Sequence, residues 1–216
     1  MSLSSREHAE PLALTGTWIV LAAVSLIAGP THGVKIWLLE TGPVLLALGL
    51  LIPTYRRFRL VPLSYRLVFV HALILLYGAH YTYAEVPLGF WAQGAFGWAR
   101  NHYDRLGHFV QGFFPAIVAR EVLIRTSPLR RGKWLFFLVT CVCLAFAALY
   151  ELIEWWTAVL QGDSNLAQDF LGSQGDVWDA QWDMFLCLLG AILGQLSLGW
   201  LHDRQLDAIL PRQEET

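Results

Sequence analysis

The chain has 216 residues, 56% of them apolar and only 15% charged, against about 45–50% and about 25% in ordinary soluble domains. A formal net charge of -2, with no concentrated basic surface, excludes nucleic acid as a partner, because phosphate binding needs clustered positive charge. Cys141, Cys143 and Cys187 all fall inside apolar runs, so they read as packing residues and not as a disulfide framework or zinc knuckle.

A helix that crosses the hydrocarbon core needs ~20 mainly apolar residues. In chain order, Leu12–Ala28, Val34–Ile52, Leu63–Tyr83, Leu106–Ile124, Trp134–Trp156 and Trp182–Leu201 approach that length. The first follows Glu7 and Glu10, not a basic leader, and Leu26-Ile27-Ala28-Gly29-Pro30 is a poor cleavage site, which predicts an uncleaved span. The expectation is an all-α, polytopic transmembrane bundle over residues 12–201, between cytoplasmic tails 1–11 and 202–216.

Orientation follows from the basic residues, which favour the cytoplasmic side. Arg56, Arg57, Arg59 and Arg66 mark the joint after the second span, and Arg125, Arg130, Arg131 and Lys133 the joint after the fourth. The alternate joints hold only Lys35, Arg100 and Arg105, and residues 157–181 hold none. Both termini are therefore expected in the cytoplasm. Residues 86–103 interleave Phe90, Trp91, Phe96 and Trp98 with Gly89, Gly94 and Gly97, which predicts a segment in the membrane interface. Residues 157–181 are polar and acidic, with turns expected at Gly162, Gly172 and Gly175.

Charges inside spans are expensive and by default functional. With that topology, Glu40 falls near the outer end of the second span, and His80 near the outer end of the third, with Glu85 just beyond. Asp104 and His108 open the fourth span, Glu151 and Glu154 close the fifth, and Asp176, Asp179 and Asp183 lead into the sixth. Five helices thus bring carboxylates or imidazoles to one level. The pairs 104/108, 151/154 and 179/183 are three or four apart, so each shares a helix face.

Three chemistries suit such a set. Glu154, Asp176, Asp179, Asp183 and His108 offer oxygen and imidazole ligands for a divalent cation that activates water. His108, Asp104, Glu151, Glu154 and Asp183 can instead act as catalytic acids and bases. A carboxylate cluster also carries protons in coupled transporters. The bland alternative is that these groups form hydrogen-bonded pairs fixing helix packing, with Arg105 offsetting some of the charge. Deeper in the bundle, His71 reads as a histidine bonded to a neighbouring helix. Arg120 reads as a snorkelling side chain, and Glu121 as a partner for the basic joints.

Several runs are specific in combination: Gly78-Ala79-His80-Tyr81-Thr82-Tyr83-Ala84-Glu85-Val86-Pro87, Tyr103-Asp104-Arg105-Leu106-Gly107-His108-Phe109, Tyr150-Glu151-Leu152-Ile153-Glu154-Trp155 and Gly175-Asp176-Val177-Trp178-Asp179-Ala180-Gln181-Trp182-Asp183. Over nearly the whole chain these resemble the YjdF family of bacterial inner-membrane proteins. That likeness implies a multi-pass protein of the bacterial inner membrane and no established activity. Asp104-Arg105-Leu106-Gly107-His108 is also similar to the Asp-Lys-x-x-His start of a helix in VanZ-like membrane proteins, although Cys187 stands where those proteins carry asparagine.

The leading functional expectation is a metal-assisted enzyme acting on a membrane lipid or envelope-precursor headgroup. A proton-coupled small-solute transporter and a non-catalytic envelope binding or assembly factor are the alternatives.

Overall fold

A computed structural model describes residues 5–161 and 170–210 of the chain. Gly162, residues 1–4 of the expected N-terminal tail and residues 211–216 of the expected C-terminal tail lie outside those residues. The described helices are α1 (Ser5–Ala28), α2 (Gly33–Thr54), α3 (Pro62–Tyr81), α4 (Pro87–Phe96), α5 (Tyr103–Thr126), α6 (Lys133–Gln161) and α7 (Asp179–Ile209), with a 3-10 turn at Tyr83–Glu85 before α4. No strand occurs among the described residues, so the all-α class holds.

Helix boundaries follow local chemistry. Pro62 and Pro87 occupy the first turns of α3 and α4, where a missing N–H costs nothing. Gly97 ends α4 with φ 66°, a left-handed cap that glycine adopts freely. Asp104 lies in the first turn of α5, where a carboxylate suits the positive end of the helix dipole. α5 therefore begins before the apolar stretch that starts at Leu106. α7 likewise runs past Leu201 to Ile209, with His202 and Leu206 fully buried.

Five helical stretches are long and apolar enough to cross a membrane: Ala9–Ala28, Gly33–Thr54, Pro62–Tyr81, Lys133–Leu160 and Asp179–Ile209. α5 is 24 residues long but too polar to join them, since it carries Asp104, Arg105, His108, Arg120, Glu121 and Arg125. Its surroundings explain that composition. α5 packs against α7, α6 and α3, so its polar groups face protein, while apolar side chains on other helices, such as Leu46, Phe146 and Leu196, are exposed. Exposed apolar surface on this scale marks contact with lipid.

Close approach of α5 and α7 depends on glycine. A Cβ on Gly112 would lie 1.9 Å from the Cys187 carbonyl oxygen, and one on Gly190 2.0 Å from that of Phe109. Small residues let membrane helices pack backbone to backbone. Gly112 is one turn along from His108, and Cys187 one turn along from Asp183, so this seam sets the spacing of the polar residues above it. All three cysteines are free; Cys143 and Cys187 are buried as packing residues, with the Cys187 thiol donating to the Cys143 carbonyl at 3.5 Å, whereas Cys141 is exposed.

Candidate functional site

The site is built where α5, α6 and α7 meet. Asp104 and His108 come from the first two turns of α5, Glu151 and Glu154 from α6, and Asp179 and Asp183 from the first two turns of α7. One ligand atom each from Asp104, His108 and Asp183 lies within 4.8 Å of the others. His108 Nε2 is 3.7 Å from Asp104 Oδ1 and 3.5 Å from Glu151 Oε1. Glu154 is buried and faces Glu151, Asp104, Asp183 and Asp179. The Tyr150 ring stands edge-on to His108, with centroids 6.1 Å apart.

The balance of charge is the unusual feature. Asp104, Glu151, Glu154 and Asp183 form no ion pair with lysine or arginine among the described residues. His108 lies 3.7 Å from Asp104 and 3.5 Å from Glu151, while Arg100 and Arg105 act on Asp104, and Arg105 on Asp183, only from beyond ion-pair distance. His108 Nδ1, Glu151 Oε1 and Asp183 Oδ1 are buried without hydrogen-bond partners. His108 is 3% exposed and Asp183 2%. Two ionised carboxylates within 4.8 Å of each other repel by about 3–4 kcal/mol even at an effective dielectric constant of about 20. Four such groups therefore need a cation or shared protons to coexist.

Two arginines stand at the rim, and each holds an aspartate. Arg100 Nη1 donates to Asp179 Oδ1 at 2.6 Å, and its Nη2 to the Gly172 carbonyl at 3.3 Å. Arg105 Nη2 donates to Asp176 Oδ2, which also lies 3.6 Å from Arg100 Nη1. The Trp178 backbone N–H and then Arg105 hold the Asp176 carboxyl below its ordinary range, so it is ionised. Burial, and then Arg105 and Arg100, hold the His102 imidazole below its ordinary value. It is therefore neutral at pH 7, and its Nδ1 lies 3.4 Å from Arg105 Nη1.

Asn101 and Gln174 fix this rim to the bundle. Gln174 exchanges hydrogen bonds with the backbone of Asn101, accepting from its N–H at 3.0 Å and donating to its carbonyl at 2.8 Å. The fully buried Asn101 side chain in turn donates to the Val86 carbonyl and accepts from the Tyr103 N–H, both at 3.0 Å. The segment before α7 is thus pinned across the opening between α4 and α5.

The predicted residues separate into three groups. Asp104, His108, Glu151, Glu154 and Asp183 converge. Asp176 and Asp179 stand beside them, but each is engaged by an arginine. Glu40, His80 and Glu85 belong to a neighbouring network of α1, α2 and α3. There Glu40 accepts from Thr82 Oγ1 at 2.6 Å, His80 Nδ1 lies 2.9 Å from Ser25 Oγ, and Glu85 lies 2.9 Å from His32 Nε2. Glu40 nevertheless keeps one buried oxygen, Oε2, without a partner.

Deeper along α5 three expectations change in detail. Arg120 does not snorkel; it is buried and sits 2.9 Å from His202 Nδ1 and 2.9 Å from Asp203 Oδ2. Glu121 pairs with Arg125 at 2.7 Å, as the basic joints suggest, and also accepts from Ser64 at 2.6 Å and from the Val61 N–H at 2.9 Å. His71 has no hydrogen bond from its buried Nε2 and instead meets the Phe114 ring at a centroid distance of 6.2 Å. Sequence reasoning passed over Arg100, Asn101, Gln174 and His202. Arg100 alone carried a signal, as one of few cations in a joint otherwise poor in charge.

Comparison with known proteins agrees with this architecture. A family model described as "Predicted membrane protein (DUF2238)" matches residues 12–204. The chain belongs to that family. It is also 49% identical, over 198 residues, to the inner membrane protein YjdF of Escherichia coli (strain K12), an alignment covering 91% of this chain and 94% of that protein. The chain is thus an integral protein of the inner membrane, of the kind its motifs suggest. No solved structure matches it.

Proposed function

We propose that the α5–α6–α7 cluster is a divalent-cation site at the outer headgroup level of the membrane, and that the protein is a metal-assisted enzyme acting on a lipid or envelope-precursor headgroup. One observation carries this reading: buried donor atoms of Asp104, His108 and Asp183 lie within 4.8 Å of one another, with no arginine or lysine paired to them. A cation of magnesium or manganese size holds its ligands at about 2.1 Å, so neighbouring ligands stand roughly 3 Å apart and opposite ones roughly 4.2 Å. The observed spacing needs only a small contraction to reach that shell. Glu151 and Glu154 stand next to it, as further ligands or as the base that takes a proton from a bound water.

The outer placement rests on six crossings, with α5 as the sixth. α5 has the length, and its polar groups are covered by α3, α6 and α7. The basic joints 55–61 and 127–132 then lie in the cytoplasm. Exposed Trp91, Trp98, Trp155, Trp156, Trp178 and Trp182 ring the cluster end, where aromatic side chains favour the headgroup boundary.

Against the transporter alternative, the residues that α5 buries between His108 and Arg120 are Val110, Gly112, Ala116 and Ile117, all apolar. Elemental analysis of the purified protein tests the site. A stoichiometric divalent metal is expected, and it is lost in Asp183→Ala and Glu154→Ala. Lipid extracts of cells with and without the protein test the activity, and a changed headgroup is expected. Metal-free protein together with unchanged lipids would overturn the reading.

A further inference from the structure

Building on that cation site, we propose that Arg100 and Arg105 form a fork that receives the phosphate group of a membrane lipid and sets it beside the cation. A bare cluster of four carboxylates repels an anionic headgroup. A site that takes a phosphate therefore needs cations at its mouth, and these two guanidiniums stand there. Both are largely buried, with side-chain exposures of 10% and 18%, and the Nε–H of each is buried without an acceptor. Such a donor is left unsatisfied at a cost. A phosphate has the oxygens to satisfy both, since guanidinium forks match it in a bidentate way.

Asp176 occupies the place such a group would take. Its carboxylate lies between the two guanidiniums, bonded to Arg105 and 3.6 Å from Arg100, and it is 24% exposed at its side chain. It comes from the turn before α7 and not from a helix. An arriving phosphate can therefore displace it without unpacking the bundle, and Asp176 holds the fork in its absence.

The lipid source is favoured by what lies alongside. The Arg105 guanidinium sits over the Trp182 ring, 5.4 Å from its centroid. Trp182 lines a shallow apolar depression with Trp178, Gln181 and Phe185 on the exposed face of α7. An acyl chain lying in that depression would bring its phosphate to Arg105.

The test uses the full-length protein in nanodiscs and Mn²⁺ as the cation, with bound Mn²⁺ read by electron paramagnetic resonance. Two ligands that contact each other in one site raise each other's affinity, by 5–150-fold in typical couplings. In phosphatidic acid nanodiscs, wild type is expected to bind Mn²⁺ about tenfold more tightly than Arg105→Gln. The two should be equal in nanodiscs of digalactosyldiacylglycerol, a lipid without phosphate. Comparing the proteins in the same nanodisc cancels Mn²⁺ held by the lipid itself. Asp176→Asn, which removes the competing carboxylate, should enlarge the response, whereas a merely structural latch would weaken with it.

Inorganic phosphate added to the digalactosyldiacylglycerol nanodiscs separates the sources. A full response there supports the fork with a soluble phosphate as its ligand and overturns the lipid. If Arg105→Gln does not fold, Arg105→Lys decides, with Mn²⁺ binding retained and the phosphate response reduced. Mn²⁺ binding with no phosphate response in wild type overturns the fork and leaves the cation site standing. Absence of Mn²⁺ binding overturns both.

Discussion

The two ends of α5 hold buried acids in opposite ways. At one end Glu121, fully buried, accepts from Val61, Ser64 and Arg125, with His202 Nε2 at 3.5 Å, while Arg120 is shared by His202 and Asp203. At the other, Asp104, Glu151, Glu154 and Asp183 face one another with His108 among them and no arginine or lysine at ion-pair distance among the described residues, and several polar atoms there are bonded to nothing described. Both ends are equally costly in a membrane. A network in which each acid is paired with an arginine explains itself as structure, by fixing the start of α3 against α5 and α7. On the proposed reading, a network left short of partners takes up a cation from outside the chain, so that one end of α5 serves architecture and the other binding.

The comparison breaks most sharply at Glu121. Removing one partner from a buried ion network strands the rest, at about 3–5 kcal/mol, so Glu121→Ala should lower stability by that order in denaturant titrations in detergent. Asp183→Asn removes a repelling charge, and in metal-free protein it should be neutral or stabilising in the same assay. A loss comparable to that of Glu121→Ala would show that the cluster is structural after all.

The glycine seam comes next. Gly112→Val forces α5 from α7, since even a Cβ there would meet the Cys187 carbonyl at 1.9 Å. Overpacking of this kind costs about 1–3 kcal/mol. Because Gly112 lies one turn from His108, metal binding should fall as well, while a substitution at Gly49, which has open space around it, should alter neither.

A smaller effect is expected at the rim. Asp176 is held below its ordinary value of 3.8, so its grip on Arg105 is complete above that value and is lost as pH falls through the depressed one. Amide protection of residues 172–178, corrected for the intrinsic exchange rate at each pH, should stay high at neutral pH, fall only in acid, and lose that acid step in Asp176→Asn. The least effect is expected at His71, whose buried Nε2 bonds to nothing described. His71→Leu should cost no stability, and a clear loss would reveal a partner there.

Much of this was legible in the sequence, for a simple reason. Hydrocarbon tolerates few charges, so Asp104, His108, Glu151, Glu154 and Asp183 stand out in apolar surroundings, and helical spacing puts each pair on one face. The rest depends on long-range pairing. Arg120 reads as a snorkelling residue until α7 is seen to continue past Leu201 and bring His202 beside it, 82 positions away. His80 and Glu85 sit among the polar residues of α3 and the turn after it, yet they spend themselves on Ser25 and His32 from other segments. Spacing along a helix reveals which side a residue faces. It does not reveal which partner arrives there.

Unfolding of metal-free protein against added Mn²⁺ decides whether the cluster takes up a cation. A ligand bound only by the folded state stabilises it by about 2.7 kcal/mol at a hundredfold excess over its dissociation constant. The account predicts a rise of that order in wild type and none in Asp183→Asn. An unmoved wild type, or an equal rise in both, would contradict it.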